Sequence, residues 1–248
     1  MRVLDRFLRA LRKRAADNSC ICDGCGTENF SGPSVRLCQE CLSALTFNDG
    51  FHCDKCGRAT RGEGVCSSCK ALVPDFEKAA SALAYFDRSA ATVNRYKNGK
   101  RYLCYYFAEE MHKTLERLPK RTYTLTAVPL TKEKLHMRGY NQSSELALCL
   151  ADLTGYECNT ELLEKRKTDE QKQLSAKERR KNIVGAFRVR DRKYCKGRDF
   201  LVVDDVMTSG ATLSEIASVL LRAGASSVCA LTVAAVPERD PVEAKSGV

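Results

Sequence analysis

Four C-x-x-C pairs lie between positions 22 and 69 of this 248-residue chain, and they constrain its N-terminal part more than any other feature. The pairs are Cys22/Cys25, Cys38/Cys41, Cys53/Cys56 and Cys66/Cys69. Each pair can set two thiolates on one tight turn, and two such turns facing each other form a tetrahedral sulfur site for zinc. Because the region is rich in Gly and Cys and poor in long apolar runs, we expect metal rather than a core of its own to hold it together.

The spacing of the pairs indicates compact zinc ribbons. Twelve residues separate the first two pairs and nine separate the last two. Gly26 and Gly57 follow the second cysteine of their pairs, where a tight turn needs an unusual backbone angle. The cysteines can pair sequentially or in an interleaved way, with one or two structural zinc ions. His52 is a weaker ligand candidate because eight thiols are available, and Cys20 lies outside the pairs.

Length and composition favour one main domain beside this small module. A chain that is 44% hydrophobic can bury a core of about 150 to 180 residues. No window approaches the roughly 18 consecutive apolar residues of a membrane-spanning helix, and the N-terminus lacks the apolar segment of a signal peptide. We therefore expect a cytoplasmic protein whose five cysteines beyond position 69 are reduced thiols.

The net charge of +10 is concentrated in one segment. Between Lys165 and Arg198 there are 14 basic and 4 acidic residues, so the rest of the chain is nearly neutral. A polyanionic ligand or partner is expected to meet this basic segment, which is either a lid over a ligand or a solvated loop. Residues 1–18 predict a basic amphipathic helix that docks on the protein itself or lies on a membrane or nucleic acid.

Beyond residue 79, apolar strands alternate with amphipathic helices, which indicates an α/β fold with a mostly parallel sheet. Strands are predicted at residues 125–128, 200–203 and 228–236. Helices are predicted at residues 102–118, 142–153 and 212–223, with Gly224 at the C-terminal cap. The expected domains are a basic helix at 1–18, a double zinc ribbon at 19–72 and the α/β domain at 73–240.

A predicted strand-to-helix turn carries the most informative polar residues. Asp204 and Asp205 directly follow an apolar run of the kind that a strand buried on both faces presents. The residues that lead from them into the helix are Val206, Met207, Thr208, Ser209, Gly210, Ala211 and Thr212. Free amides and the positive end of the helix dipole make this turn a cradle for an anion. The carboxylates can accept hydrogen bonds from sugar hydroxyls or reach the water shell of Mg²⁺, so a ribose 5-phosphate suits both halves.

Other readings of this turn are weaker. The chain contains neither G-x-x-x-x-G-K-[ST] nor G-x-G-x-x-G, the two common phosphate-binding motifs. The structural alternative is a helix capped by Thr208, Ser209 or Thr212, with two solvated acids beside it. Burying adjacent carboxylates is costly without cations or hydroxyl donors, which favours a polar ligand.

These residues resemble a known family. The two aspartates and residues 208–212 are similar to the signature of type I phosphoribosyltransferases, which binds 5-phosphoribosyl-1-pyrophosphate (PRPP). With the double cysteine module, two further runs resemble the ComF family of amidophosphoribosyltransferase-like proteins, which are linked in some bacteria to DNA uptake in natural transformation. These runs are Arg138-Gly139-Tyr140-Asn141-Gln142 and Gln171…Leu174…Arg179…Asn182…Ala186-Phe187. The similarity covers roughly residues 20 to 236.

The resemblance implies a type I phosphoribosyltransferase-like fold, in which a mostly parallel sheet with flanking helices follows a zinc-ribbon module. It also assigns roles to individual residues. Asp204 and Asp205 would be the catalytic pair that holds the ribose hydroxyls, and residues 206–212 would complete the PRPP site around the 5-phosphate. Val128, Pro129 and Leu130 would begin the turn near the pyrophosphate. Candidate counter-charges for the pyrophosphate are Lys97, Arg138, Arg179 and Arg180. The segment around Lys97 is one residue tighter than the usual family pattern.

Two functions remain open. One is a Mg-PRPP-dependent transferase with an unidentified nitrogen acceptor, in which Mg²⁺ and cations stabilise the leaving pyrophosphate. The other is a non-catalytic PRPP sensor that binds single-stranded DNA and works with the DNA-uptake machinery through its zinc ribbons and basic segments. Release of pyrophosphate and the salt dependence of DNA binding distinguish the two.

Overall fold

The computed structural model describes residue 11 and residues 21–28, 37–166 and 183–238. The predicted helix at residues 1–18 lies outside the described residues, except for Leu11. Arg179 and Arg180 also lie outside them, as does the middle of the basic segment, residues 167–182.

A parallel sheet forms the centre of the fold. The described residues form strands β1 (Ala79–Ala84), β2 (Thr124–Ala127), β3 (Leu163–Lys165), β4 (Phe187–Val189), β5 (Asp199–Met207) and β6 (Ser227–Ala235). The main sheet has the order β1-β6-β5-β2, with all neighbours parallel, whereas β3 and β4 form a separate antiparallel pair. The predicted parallel α/β sheet is therefore confirmed, and the three predicted strands are β2, β5 and β6.

The described residues form helices α1 (Gln39–Ser43), α2 (Ser67–Ala71), α3 (Asp87–Lys97), α4 (Leu103–Thr114), α5 (Lys132–Arg138), α6 (Gln142–Thr154), α7 (Arg192–Cys195) and α8 (Ala211–Arg222). Of these, α3, α4, α6 and α8 pack against the main sheet. The three predicted helices are α4, α6 and α8. The helix predicted at residues 102–118 is shorter in the structure, because a 3₁₀ turn at Leu115–Arg117 follows the end of α4 at Thr114. Asn141 caps α6 by accepting a hydrogen bond from the Ser143 amide, and Gly155 ends it in the left-handed conformation.

Two cores lie on opposite faces of the sheet. Alternate residues of a strand point to opposite faces, and Leu201 and Val203 of β5 join one core while Phe200 and Val202 join the other. The first core contains residues of α3, α4 and α6, and the second contains residues of α8 and β4. The paired cysteines divide in the same way. Cys22, Cys38 and Cys41 of the first two pairs pack in or against the first core, and all four cysteines of the last two pairs belong to the second core.

The cysteine-rich region packs against the edge strand β1. The Asn48 amide donates to the Ala82 carbonyl at 3.0 Å, and the Ala84 amide donates to the Thr46 carbonyl at 2.9 Å. These bonds occupy backbone groups that an edge strand would otherwise expose. Near the start of β1, Gly57 has a φ of +69°, and a Cβ atom there would lie 2.4 Å from the carbonyl oxygen of Ala79.

The predicted domain boundary near Leu72, Val73 and Pro74 stays a prediction. The segment lies between the end of α2 at Ala71 and the start of β1 at Ala79. Among the described residues, no helix combines the length and the apolar character needed to cross a bilayer.

Replacement of Gly57 by alanine should cost more stability than the same change at Gly26. Both glycines have positive φ angles, so each change costs about 1–2 kcal/mol in backbone strain. Only Gly57 adds a backbone clash, because a Cβ at Gly26 has nothing within 4 Å. Chemical denaturation of the zinc-loaded variants measures the difference, and equal losses for the two variants would contradict it.

Candidate functional site

The two aspartates lie inside strand β5 rather than after its end. The predicted strand stopped at residue 203, but β5 continues because β6 runs beside it, with Asp204 opposite Thr232 and Val206 opposite Ala234. Asp205 is buried and Asp204 is half-buried. The pair therefore belongs to the rigid sheet and not to a mobile turn.

The Asp204 carboxylate is held by two donors. Its Oδ1 accepts a hydrogen bond from Ser143 Oγ at 2.8 Å and another from the Asp205 amide at 2.9 Å. Desolvation, followed by the negative charge of Asp205, nevertheless raises the pKa of Asp204 to about 7. Sequence reasoning missed Ser143. The only signal was its position directly after the Arg138–Gln142 run, in the first turn of a predicted helix.

Asp205 has a cation beside it. Lys97, the last residue of α3, places its Nζ 3.3 Å from Asp205 Oδ1, and both side chains are largely buried. Lys97 Nζ also lies 5.9 Å from the centre of the Tyr85 ring. The structure thus brings this sequence candidate to the acidic pair. The ion pair offsets part of the cost of burying the second carboxylate.

Residues 208–212 connect β5 to helix α8. Gly210 is the N-terminal cap of α8, and its φ of +78° lies in the left-handed region that favours glycine. Thr208 and Ser209 are exposed. Because the amides in the first turn of a helix have no carbonyl partner within the helix, they are available to an anion. The predicted strand-to-helix turn is present, and its role as an anion cradle stays a prediction.

A cleft lies beside the turn after β2. Asn141 Nδ2 donates to the Val128 carbonyl at 3.0 Å and so fixes this turn to the start of α6. The cleft has a volume of about 560 Å³, and its lining includes Pro129 and Leu130. Arg138 is exposed in the last turn of α5. Among the described contacts, none joins Arg138 to either aspartate.

The cysteines form two separate clusters with sequential pairing. The first contains Cys22, Cys25, Cys38 and Cys41, and the second contains Cys53, Cys56, Cys66 and Cys69. Within each cluster the four sulfur atoms lie within 4.8 Å of one another. The distance from Cys25 Sγ to Cys38 Sγ is 3.7 Å, and that from Cys56 Sγ to Cys66 Sγ is 3.8 Å. Both agree with the ~3.8 Å edge of a tetrahedron whose zinc–sulfur bonds are ~2.3 Å. Both clusters therefore fit zinc.

Corresponding backbone bonds support the two clusters. Cys22 Sγ accepts from the Cys38 amide at 3.1 Å, and Cys53 Sγ accepts from the Cys66 amide at 3.2 Å. The predicted glycine turns are confirmed, with a φ of +82° at Gly26. His52 bonds the Gly50 carbonyl through Nδ1 and belongs to neither cluster.

The clusters differ in burial and in their neighbours. All four cysteines of the second cluster are buried, whereas Cys25 in the first is exposed. Hydrogen bonds from the Thr27 side chain and backbone lower the pKa of Cys25 to about 6. A hydrogen bond with Cys69, and then the Arg58 amide and guanidinium, lower the pKa of Cys56 to about 5. In the same clusters, burial raises the pKa of Cys41 and the hydrogen bond with Cys56 raises that of Cys69, so before metal binds only some of the thiols favour the thiolate.

Known proteins are similar to this chain over most of its length. The phosphoribosyl transferase domain family matches residues 135–246. DNA utilization protein YhgH of Escherichia coli K12 is 30% identical over 207 residues, which cover 77% of this chain and 87% of that protein. Competence protein ComFC of Bacillus subtilis 168 is 28% identical over 210 residues, which cover 81% of this chain and 85% of that protein.

The class of protein and its family follow from these matches. The chain carries a phosphoribosyltransferase-like domain on a parallel α/β sheet. It belongs to the ComF family, together with the YhgH and ComFC proteins. Among solved structures, an allosteric regulatory enzyme of purine biosynthesis matches with 20% identity and a TM-score of 0.36. That match covers 52% of this chain, which spans about a quarter of the enzyme's length.

The raised pKa of Asp204 predicts a stability that falls as the pH rises. An unfolded aspartate has a pKa near 3.9, so between about pH 4 and pH 7 the folded protein binds the additional proton. Asp204→Asn should therefore raise the free energy of unfolding at pH 8 by about 1–3 kcal/mol and leave it nearly unchanged at pH 4. Urea denaturation at both pH values measures this. Destabilisation at pH 8 would show that the ionised carboxylate is well compensated.

Proposed function

We propose that this ComF-family protein binds PRPP together with Mg²⁺ at the carboxyl end of β5. The observation that carries the proposal is the continuous run from the acid pair in β5 to the first turn of α8, whose amides have no carbonyl partner within the helix. A phosphorylated pentose presents hydroxyls and a phosphate on one small molecule. The run offers acceptors for the hydroxyls and amide donors for the phosphate.

Each part of the site takes one part of the ligand. Asp204 and Asp205 accept hydrogen bonds from the ribose hydroxyls, while residues 206–212 surround the 5-phosphate. Ser143 orients Asp204 through its 2.8 Å bond. Lys97, now paired with Asp205, is within reach of the pyrophosphate end. Arg138, with Arg179 and Arg180 outside the described residues, stays a candidate for the same group.

Mg²⁺ would enter with PRPP. Paired carboxylates are the hard oxygen donors that suit Mg²⁺ or its water shell. When bound, Mg²⁺ would stabilise negative charge on the leaving pyrophosphate. The described residues supply binding and orientation and require no dedicated general base. We infer a transfer of the phosphoribosyl group to a nitrogen acceptor as the activity of this site.

The cellular role proposed here is in the use of external DNA. The relatives are described as DNA utilization and competence proteins, and their similarity covers most of this chain. A role in natural transformation is therefore the proposal for this protein as well. The site residues themselves do not identify the acceptor of the phosphoribosyl group.

A second candidate is PRPP-regulated binding of single-stranded DNA without catalysis. A basic groove of about 570 Å³ runs between β4 and the end of α8. Its lining includes Phe187 and the arginines Arg166, Arg188, Arg192 and Arg222. Guanidinium groups contact the phosphates of a single strand, whereas Phe187 is only 4% exposed and belongs to the core. Arg188 and Arg222 are already paired with Glu164 and Glu215, so Arg166 and Arg192 are the stronger candidates.

The double variant Asp204→Ala/Asp205→Ala should lose PRPP binding. Removing both acceptors for the ribose hydroxyls should weaken affinity by more than about 100-fold, since each hydrogen bond with a charged group contributes about 1.5–3 kcal/mol. Calorimetry with PRPP and Mg²⁺ measures the loss, and zinc content should stay at that of the parent protein. Asp49→Ala is a control because its side chain is exposed. Wild-type affinity in the double variant would refute the assignment.

Two assays decide between transferase and DNA-binding protein. A transferase should release pyrophosphate from PRPP when the correct nucleobase or amine is supplied. A DNA-binding protein should bind single-stranded oligonucleotides with an affinity that falls steeply as salt rises, and Arg166→Ala/Arg192→Ala should reduce that slope by about 1–2. No pyrophosphate release with any acceptor, together with steep salt dependence, would remove the enzyme hypothesis.

A further inference from the structure

We propose that Arg58 is a positioning residue that ties the second cysteine cluster to the phosphate turn at residues 208–212. The affinity of the turn for phosphate then depends on whether the second cluster holds its metal, and it does not depend on the metal of the first cluster. The inference rests on the proposed function, because it assigns a regulation to the same site.

The Arg58 side chain connects two distant parts of the chain. It follows Gly57 in the turn of the second cluster and is only 6% exposed. Its Nε donates to Cys56 Sγ at 3.4 Å, and its Nη2 donates to the Thr208 carbonyl at 2.7 Å, 150 residues away. One rigid guanidinium therefore contacts a metal ligand and the first residue of the phosphate turn.

The bond to Thr208 controls the direction of a phosphate donor. The carbonyl of Thr208 and the amide of Ser209 belong to one planar peptide unit and point in opposite directions. Holding the oxygen against Arg58 therefore directs the Ser209 N–H away from the cysteine cluster and into the turn. Without that bond, the peptide plane can rotate and the amide loses its fixed direction.

The metal determines whether Arg58 can stay in place. Arg58 Nε is bonded to Cys56 Sγ, and Cys56 Sγ lies 3.8 Å from Cys66 Sγ, so one zinc ion would fix the sulfur that Arg58 contacts against the rest of the second cluster. Without metal, no coordination bond joins the turns of Cys53/Cys56 and Cys66/Cys69, and structural zinc supplies the folding energy of such modules. The turn that carries Arg58 can then move, and the Thr208 carbonyl loses its donor.

Further contacts join the same cluster to the same turn. Phe76 packs in the core of the second cluster and lies near Gly210, where an added Cβ would be 3.9 Å from its Cε1 atom. Asp75 is bonded to Ser214 in the first turn of α8, with its amide 3.0 Å from Ser214 Oγ. By contrast, no described hydrogen bond links residues 21–28 or 37–45 to residues 208–212. The first cluster lies against the other face of the sheet.

The inference is tested by amide hydrogen exchange in zinc-loaded Arg58→Met and Arg58→Lys variants. Exchange of the Ser214 amide, which donates to the Gly210 carbonyl at 2.9 Å, should be about 10-fold faster than in the parent protein, and PRPP affinity should fall by a similar factor, as the loss of one charge-assisted hydrogen bond predicts. Lysine keeps the charge but cannot bridge thiolate and carbonyl with a planar fork. Amides of β5 and β6 before residue 207 should keep their protection, and zinc content should not change.

Arg117→Met is the matched control. Arg117 also joins the cysteine-rich region to the main fold through a backbone carbonyl, that of Asn48 at 2.5 Å, but it does not contact the phosphate turn. Its variant should show the exchange and PRPP affinity of the parent protein. Cys66→Ser should loosen residues 209–212 as Arg58→Met does, whereas Cys25→Ser in the first cluster should not.

The outcomes separate this inference from the proposed function. Failure of the parent protein to bind PRPP would refute the proposed function, but the exchange comparison would still decide the role of Arg58. Parent-like exchange of the Ser214 amide in both zinc-loaded Arg58 variants would overturn the inference, even if PRPP binds. Faster exchange spread evenly over β5 and β6 would also overturn it. The same holds for equal loosening by Cys25→Ser and Cys66→Ser.

Discussion

Two adjacent carboxylates near the end of the central strand have to be compensated by their surroundings, and much of the fold is arranged around that requirement. Ser143 brings the start of α6 to Asp204, and Lys97 brings the end of α3 to Asp205. These partners do not fully offset the cost of burying two negative charges, as the pKa of Asp204, raised to about 7, indicates. The acid pair is thus held in a partly uncompensated state, which suits a site whose remaining hydrogen bonds are completed by a ligand.

The cysteine-rich region is part of this architecture and not only an appendage before it. Its two clusters contact opposite faces of the sheet, and the segment between them pairs with β1. The two clusters have equivalent backbone geometry, but they support different parts of the fold. The first cluster supports the face that carries α4 and α6. The second lies beneath the phosphate turn, where Arg58 and Phe76 join it to residues 208–212.

Local chemistry was the part of the site that sequence could predict. The glycine turns, the thiol spacing and the hydroxyl-rich turn after β5 depend on neighbouring residues, so their patterns are visible in the chain itself. Strand β1 was not predicted individually because its alanine-rich sequence has little β preference, and its burial comes from the layers on both faces. The end of β5 was misplaced for a related reason, since only pairing with β6 extends it through the aspartates.

The sequence by itself determined that this chain has thiol pairs suited to zinc, a buried strand that carries two adjacent acids and a helix start suited to an anion. Each of these properties follows from side-chain chemistry over a few residues. Only the tertiary structure decided that the cysteines pair sequentially, that Ser143 and Lys97 meet the aspartates, and that Arg58 reaches Thr208. Those contacts join residues about 10 to 150 positions apart, and such distances are closed by the packing of helices and strands around the sheet.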